Sequence, residues 1–303
     1  MEYVLQTFDI VKKYGKQKAL NKVNMNIQKG DIYGFVGENG SGKTTIIRLI
    51  TGLIFADEGS YELFGVSNKD NKILQSRKKV GAVVETPSIY KNMSAYENLK
   101  TQCLLLGVED ESKIKEVLET VGLADLYESK KHASNFSLGM RQRLGIAMAL
   151  LSEPEFLILD EPMNGLDPEG IVSMRELIIH LNKNKNITFL ISSHILTELS
   201  LIANRYGIIS KGKIIKEISY EDMKKECRKS LFIQAQNVEK LLQVVEGYEH
   251  EVVTNGVKVV GEFNINEVVN KVIKAKIQID SINSNESSLE EYYLDVIRGE
   301  HHG

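Results

Sequence analysis

The stretch Ile32-Tyr33-Gly34-Phe35-Val36, followed at once by Gly37-Glu38-Asn39-Gly40-Ser41-Gly42-Lys43-Thr44-Thr45, decides how this chain folds. A short apolar run, a glycine-rich turn and a helical pattern reaching about Ile54 are the strand, loop and helix that a P-loop requires, in the required order. The glycines let the backbone curl so that successive N–H groups converge on phosphate oxygens, and the helix that follows adds the positive end of its dipole. Asn39, Gly40, Ser41, Gly42 and Thr45 are then candidate contacts to a nucleotide. Lys43 reaches the β- and γ-phosphates, and Thr44 offers a hydroxyl to Mg²⁺. Such a four-position match arises by chance in roughly one chain per hundred of this length, and its structural context lowers that figure.

Phosphate transfer also needs an acidic site to hold magnesium and position water. Phe156-Leu157-Ile158-Leu159-Asp160-Glu161 supplies one at the end of an apolar strand. Asp160 is the candidate metal carboxylate, and Glu161, projecting past the strand end, is placed to accept a proton from attacking water. Adjacent acids at a strand end also cap helices or sit in solvated turns, so the pair gains its meaning from the phosphate loop.

Apolar runs alternating with helical periodicity predict α/β packing, with strands at 3–11, 32–36, 80–84, 156–160, 188–192 and 206–210. Several are apolar nearly throughout, as parallel strands covered on both faces must be. Between 94 and 151 the pattern is helical and opens on Ser94-Ala95-Tyr96-Glu97, a capping-box spacing. After Ile218 a charged helical segment, 220–229, leads into strand, helix, strand, strand, helix, strand, the ferredoxin-like order. A closing helix is expected to start near Ser288, and 299–303 reads as a frayed end. There is no internal repeat.

The composition excludes several classes. With 303 residues, 42% hydrophobic and 26% charged, the chain is neither a disulfide-stapled miniprotein nor a disordered one. Lys plus Arg number 38 against 41 Asp plus Glu, a net charge of -3, which offers no basic field for nucleic acid. Cys103 and Cys227 have no CxxC spacing and read as neutral thiols in a reducing compartment. Charges fall where a signal peptide would need its apolar core, and the longest apolar runs, such as 144–151, are too short to cross a bilayer. The chain is expected to stay inside the cell and to reach a membrane only through a partner.

Between the two acidic and phosphate sites lies Phe136-Ser137-Leu138-Gly139-Met140-Arg141-Gln142-Arg143-Leu144. It resembles the signature of ABC transporter nucleotide-binding subunits, usually Leu-Ser-Gly-Gly-Gln, with Leu138 replacing the first Gly and Met140 the Gln. Other positions follow in family order over roughly residues 1–218. Tyr14 matches the aromatic that stacks on adenine, and Asn164-Gly165-Leu166-Asp167 resembles the D-loop at the dimer interface. His194 resembles the switch histidine. The resemblance implies that Ser137 and Gly139 contact the γ-phosphate held by a second subunit. Where most of the family carries Gln, this chain has Glu85, followed by Thr86-Pro87-Ser88-Ile89-Tyr90. That substitution, with the run to Leu99, looks like the subgroup that exports bacitracin and lantibiotics; drift at a tolerant position is the other account of it.

Taken together, the expectation is an α/β P-loop ABC-type nucleotide-binding domain over 1–218, with a helical subdomain at about 88–152 and a small α+β ferredoxin-like domain over 219–303. The resemblance implies an ATPase that needs ATP and Mg²⁺, dimerises on ATP and drives a separate membrane permease from the inner face of the membrane, without nucleic acid. Glu161 and His194 would serve hydrolysis, with Thr44, Asp160 and Glu85 at the metal. Export of another cargo and a non-transporting ATP switch are the alternatives. A translation-associated ATPase would carry two cassettes, and a chromosome ATPase would carry long heptad repeats; neither pattern is present.

Overall fold

The structure, a computed structural model, describes residues 2–226, 229–261, 263–286 and 289–299. Cys227, the expected helix start at Ser288 and tail residues 300–303 lie outside them. The described chain divides after Tyr220 into two compact units.

The first unit opens with a hairpin. β1 (Tyr3–Tyr14) and β2 (Gln17–Gln28) pair antiparallel, with Tyr14 opposite Gln17 across Gly15 and Lys16. Gly15 has φ 59°, the left-handed backbone such a turn demands and glycine adopts without strain. β2 was not among the expected strands. Its buried Leu20, Val23, Met25 and Ile27 alternate with outward residues except where the register shifts between Leu20 and Val23, and that slip breaks the period-two pattern. β3 (Ile32–Val36) and α1 (Lys43–Ile50) follow, and β4 (Glu58–Leu63) and β5 (Val66–Ser67) complete an antiparallel sheet in the order β2-β1-β4-β5.

α2 (Ile73–Arg77) and β6 (Val80–Val83) precede a helical region of α3 (Ala95–Leu106), α4 (Ser112–Thr120) and α5 (Leu138–Leu150). The capping box forms at the start of α3: Glu97 N–H donates to Ser94 Oγ, and Ser94 N–H donates to Glu97 Oε2 at 2.7 Å. β7 (Phe156–Asp160), α6 (Pro168–Lys185), β8 (Thr188–Ser193), α7 (Leu196–Leu199), β9 (Arg205–Ser210) and β10 (Lys213–Ser219) finish the unit. The main sheet runs β10-β9-β3-β8-β7-β6, parallel except for the edge strand β10. Every residue of β3, β7 and β8 is buried, because helices and the second sheet cover both faces. These strands run in the same direction, so their C-terminal ends, and the loops that leave them, meet along one edge.

The opposite end of β3 is tied down by a buried polar contact. Tyr33 Oη donates to Glu217 Oε1 on β10 at 3.1 Å, and the same oxygen accepts Asn26 N–H from β2 at 2.9 Å, which links the two sheets. Burial, reinforced by the Glu217 carboxylate, pushes the Tyr33 phenol well above its usual pKa.

In the second unit, after α8 (Tyr220–Glu226), the order is β11 (Lys229–Ala235), α9 (Val238–Val245), β12 (His250–Val253), β13 (Gly256–Gly261), α10 (Ile265–Lys274), β14 (Ile279–Glu286) and α11 (Leu289–Gly299). Its sheet runs β12-β13-β11-β14 with every neighbour antiparallel. Leu231, Ile233, Val257 and Val259 of the sheet form one core with Leu241, Val245, Val268 and Val272 of α9 and α10.

Gly207 on β9 leaves room for the buried Tyr33 ring: a Cβ there would stand 2.2 Å from Tyr33 Oη and 2.8 Å from its Cζ. Gly207→Ala should cost about 1–3 kcal/mol through this overpacking, read as a lower urea midpoint at unchanged slope.

Candidate functional site

Thr44, Asp160 and Ser192 meet where β3, β7 and β8 end. Thr44, in the first turn of α1, donates its hydroxyl to Asp160 Oδ2 at 2.9 Å, and Ser192 Oγ donates to Asp160 Oδ1. Ser192 Oγ in turn accepts the backbone N–H of Glu161 at 2.9 Å. That bond, with a second from the same N–H to the Ser192 carbonyl at 3.2 Å, holds Glu161 in a left-handed backbone at φ 51°. A non-glycine residue there is strained, and the strain turns the Glu161 side chain away from the direction its strand would give it.

The Glu161 carboxylate lies between two nitrogen groups. Its Oε1 is 3.4 Å from Lys43 Nζ, and its Oε2 is 2.8 Å from His194 Nδ1. Lys43 is almost fully buried and also donates to the Gly37 carbonyl at 2.6 Å and the Glu38 carbonyl at 3.2 Å. Lys43, Glu161 and His194 thus form a continuous chain of contacts at the mouth of the phosphate loop.

The loop itself has the shape its sequence implies. Gly40 and Gly42 have φ of 80° and 116°, and a Cβ on Gly42 would stand 2.8 Å from the Ala19 carbonyl oxygen. Ser41 Oγ is buried without a hydrogen-bond partner among the described residues, an orphaned donor that suits a phosphate oxygen. A cleft of about 400 Å³ opens here, bounded by Gln17, Lys18 and Ala19, by Asn39, Gly40 and the start of α1 including Thr45, and by Glu161, Lys211 and Gly212. Lys18, Lys43 and Lys211 face it with Glu161 as the only acid among its lining residues, a balance that favours a polyanion. Tyr14 is half-exposed at the hairpin end, paired with Gln17 of the cleft wall. The oxygens of Thr44 and Asp160 are hard donors of the kind Mg²⁺ selects, and both are already within hydrogen-bond distance of each other.

Glu85 is paired with a cation in this structure. Its carboxylate is held by Arg48 Nη2 in the last turn of α1, one helical turn past Thr44, and Glu85 itself sits at φ 60°. A guanidinium offers that carboxylate a charged, directional partner. Glu85 lines a separate groove of about 530 Å³ with Arg48, Gln102 and Gly145.

Ser137, Gly139 and Asp167 do not line the cleft either. Ser137 caps α5 by accepting Met140 N–H at 3.2 Å, and Asp167 caps α6 by accepting Gly170 N–H at 3.0 Å. A Cβ on Gly165 would stand 3.2 Å from Leu138 Cδ2, and one on Gly139 would be 3.7 Å from Leu166 Cδ2. The two loops therefore pack side by side, with Ser137 and Asp167 exposed.

Ser192, which joins the Thr44–Asp160 pair to Glu161, was missed from sequence. Two serines closing the apolar run Thr188-Phe189-Leu190-Ile191-Ser192-Ser193 were the available signal, since a fully buried hydroxyl needs partners.

Comparison with known proteins places this geometry. Residues 20–164 match the family described as ABC transporter. The chain is 43% identical over 305 residues to the bacitracin transport ATP-binding protein BcrA of Bacillus licheniformis, covering 99% of each. It is 46% identical over 220 residues to the lantibiotic transport ATP-binding protein SrtF of Streptococcus pyogenes, covering 72% of this chain and 92% of that one. Among solved structures, cbiO1 of Clostridium perfringens, part of the ABC transporter complex cbiONQ, superposes with a TM-score of 0.66 at 26% identity over 75% of this chain and 92% of the other. With the phosphate loop, the Asp160–Glu161 pair and near full-length identity in agreement, the chain belongs to the ABC transporter family as one of its ATP-binding proteins.

Proposed function

We propose that this chain is the ATP-hydrolysing subunit of an exporter of antimicrobial peptides of the bacitracin or lantibiotic type, acting as an ATP-closed homodimer on a separate membrane permease. The contact chain Lys43–Glu161–His194 beside the Thr44–Asp160 pair carries the hydrolytic part. The 43% identity to a bacitracin transport ATP-binding protein over 99% of both chains supports the cargo. No helix among the described residues is long and apolar enough to cross a membrane, which agrees with a subunit working at the inner face through its partner.

In this proposal Lys43, Asn39, Gly40, Ser41, Gly42 and Thr45 hold the phosphates, and Tyr14 stacks on the base. Thr44 and Asp160 would hold Mg²⁺, which supplies charge neutralisation at the phosphate oxygens. Glu161 orients the attacking water and accepts its proton, and His194 holds the Glu161 carboxylate in place and contacts the γ-phosphate. A phosphate entering the cleft competes with Glu161 for Lys43, so substrate binding itself would free the Glu161 carboxylate from its ion pair. Ser137 and Asp167, both exposed, and Gly139, all away from their own cleft, would complete the site of a second copy. Glu85 and Arg48 would report on α1 to the groove they share, rather than serve the metal.

We assign residues 1–218 to the ATPase domain, with its helical subdomain at 88–152, and 219–303 to an accessory domain. The strand–helix–strand–strand–helix–strand order and fully antiparallel sheet of the accessory domain support a ferredoxin-like fold.

Lys43→Ala should abolish tight ATP binding, because the cradle loses its one buried cation; calorimetry reads it, and unchanged affinity would refute the phosphate cradle. Glu161→Gln should keep ATP bound but slow turnover by about 10²- to 10⁴-fold, the range of a lost general base. It should also accumulate as a dimer with MgATP in sedimentation, and a nucleotide-loaded monomer at high concentration would count against the mechanism. Glu85→Gln should leave hydrolysis by the isolated chain within about tenfold of the parent, since the residue sits outside the metal pair. In cells carrying the chain and its permease, the inhibitory concentration of the peptide should nevertheless fall; no change in either quantity would remove Glu85 from the coupling route.

A further inference from the structure

Asn98 is the one fully buried asparagine in α3, and its amide is spent on the loop that precedes the helix. Its Oδ1 accepts Tyr90 N–H at 2.7 Å. Its Nδ2 lies within hydrogen-bond distance of the carbonyls of Ser94 at 2.9 Å, Tyr90 at 3.1 Å and Met93 at 3.4 Å. Burying an amide is costly unless it is satisfied, and a leucine would fill the same helix face more cheaply. What the amide provides that a leucine does not is a defined shape for residues 90–94.

That shape is handed on. The Met93 carbonyl accepts Ala133 N–H at 2.8 Å, and the Lys91 carbonyl accepts Ser134 N–H at 2.8 Å. Residues Ala133–Asn135 form a single 3₁₀ turn, Phe136 is buried behind it, and Ser137 follows as the cap of α5. Arg141 also donates to the Phe136 carbonyl. Two steps of hydrogen bonding and the 3₁₀ turn therefore run from Asn98 to Ser137, with no nucleotide-cleft residue among them.

We propose that Asn98 is a positioning residue for ATP-driven dimerisation: by fixing residues 90–94 it places Ser137 and Gly139 where they meet the phosphate held by a second copy. The inference rests on the homodimer described above. It separates two quantities that a stability defect would move together, since the phosphate loop of the same copy is untouched while the surface offered to the partner is displaced.

The test uses the full chain carrying Glu161→Gln, alone and combined with Asn98→Ala or with Cys103→Ala. Cys103 is buried in the same helix and has no bond to the loop, so Cys103→Ala controls for loss of α3 packing. Thermal melting establishes that each variant is folded at the working temperature. Calorimetry reads ATP affinity of the monomer and sedimentation with MgATP reads association. Asn98→Ala should weaken association by about tenfold or more while ATP affinity stays within about twofold, and Cys103→Ala should leave both within about twofold. Should Asn98→Ala not fold, Asn98→Asp, of nearly the same size but without the amide donors, makes the same comparison. Equal association of the Asn98 variant and its parent overturns the inference, as does an equal loss in Cys103→Ala. A Glu161→Gln parent that stays monomeric with MgATP overturns the dimer itself, and this inference with it.

Discussion

The Ser192 hydroxyl holds together the edge of the main sheet where β3, β7 and β8 end. It donates to Asp160 and accepts from the backbone of Glu161, so one side chain on β8 fixes both the Asp160 carboxylate and the strained turn that aims its neighbour. The Thr44 hydroxyl on α1 closes the same carboxylate from the β3 side. Three parallel strands can end together with this accuracy because each is buried on both faces and cannot slide or twist without opening the core.

Charge distribution follows from that scaffold. Lys43 is buried at the start of α1 and must be neutralised by protein groups; the Gly37 and Glu38 carbonyls and the Glu161 carboxylate do so. A polyanion in the cleft offers stronger compensation than one carboxylate at 3.4 Å, so the same residues that stabilise the resting arrangement define what displaces it. Glu85 obeys the same electrostatics elsewhere, taking the Arg48 guanidinium one helical turn from Thr44.

The surface that carries Ser137 and Asp167 is organised by a different device. Both residues cap helices, and the small residues Gly139 and Gly165 let the two caps lie against each other through Leu166 and Leu138. Ser137 is placed by α5 and by the loop stapled by Asn98, whereas Asp167 follows β7 through a turn in which Asn164 N–H donates to the Glu161 carbonyl at 3.1 Å.

The phosphate loop, the Asp160–Glu161 pair and the apolar strands before them were legible in the sequence because their physics is local: glycine at positive φ, a buried parallel strand, a carboxylate at its end. The capping box at Ser94 is equally local. β2 was not legible, because a register slip between Leu20 and Val23 breaks the alternation that marks a half-covered strand. Ser192 and Asn98 look like ordinary polar residues in sequence; their meaning comes from partners 31 and 32 residues away for the first and from a closed loop for the second. Glu85 is expected at the metal by resemblance, and only the folded chain shows Arg48 paired with it. The sequence by itself thus determined where the glycine-rich loop curls and which strand ends carry the acids, since backbone conformation and burial are set by nearby residues. Tertiary structure decided which carboxylate meets which cation, because an ion pair depends on distance in space and on burial, neither of which spacing along the chain specifies.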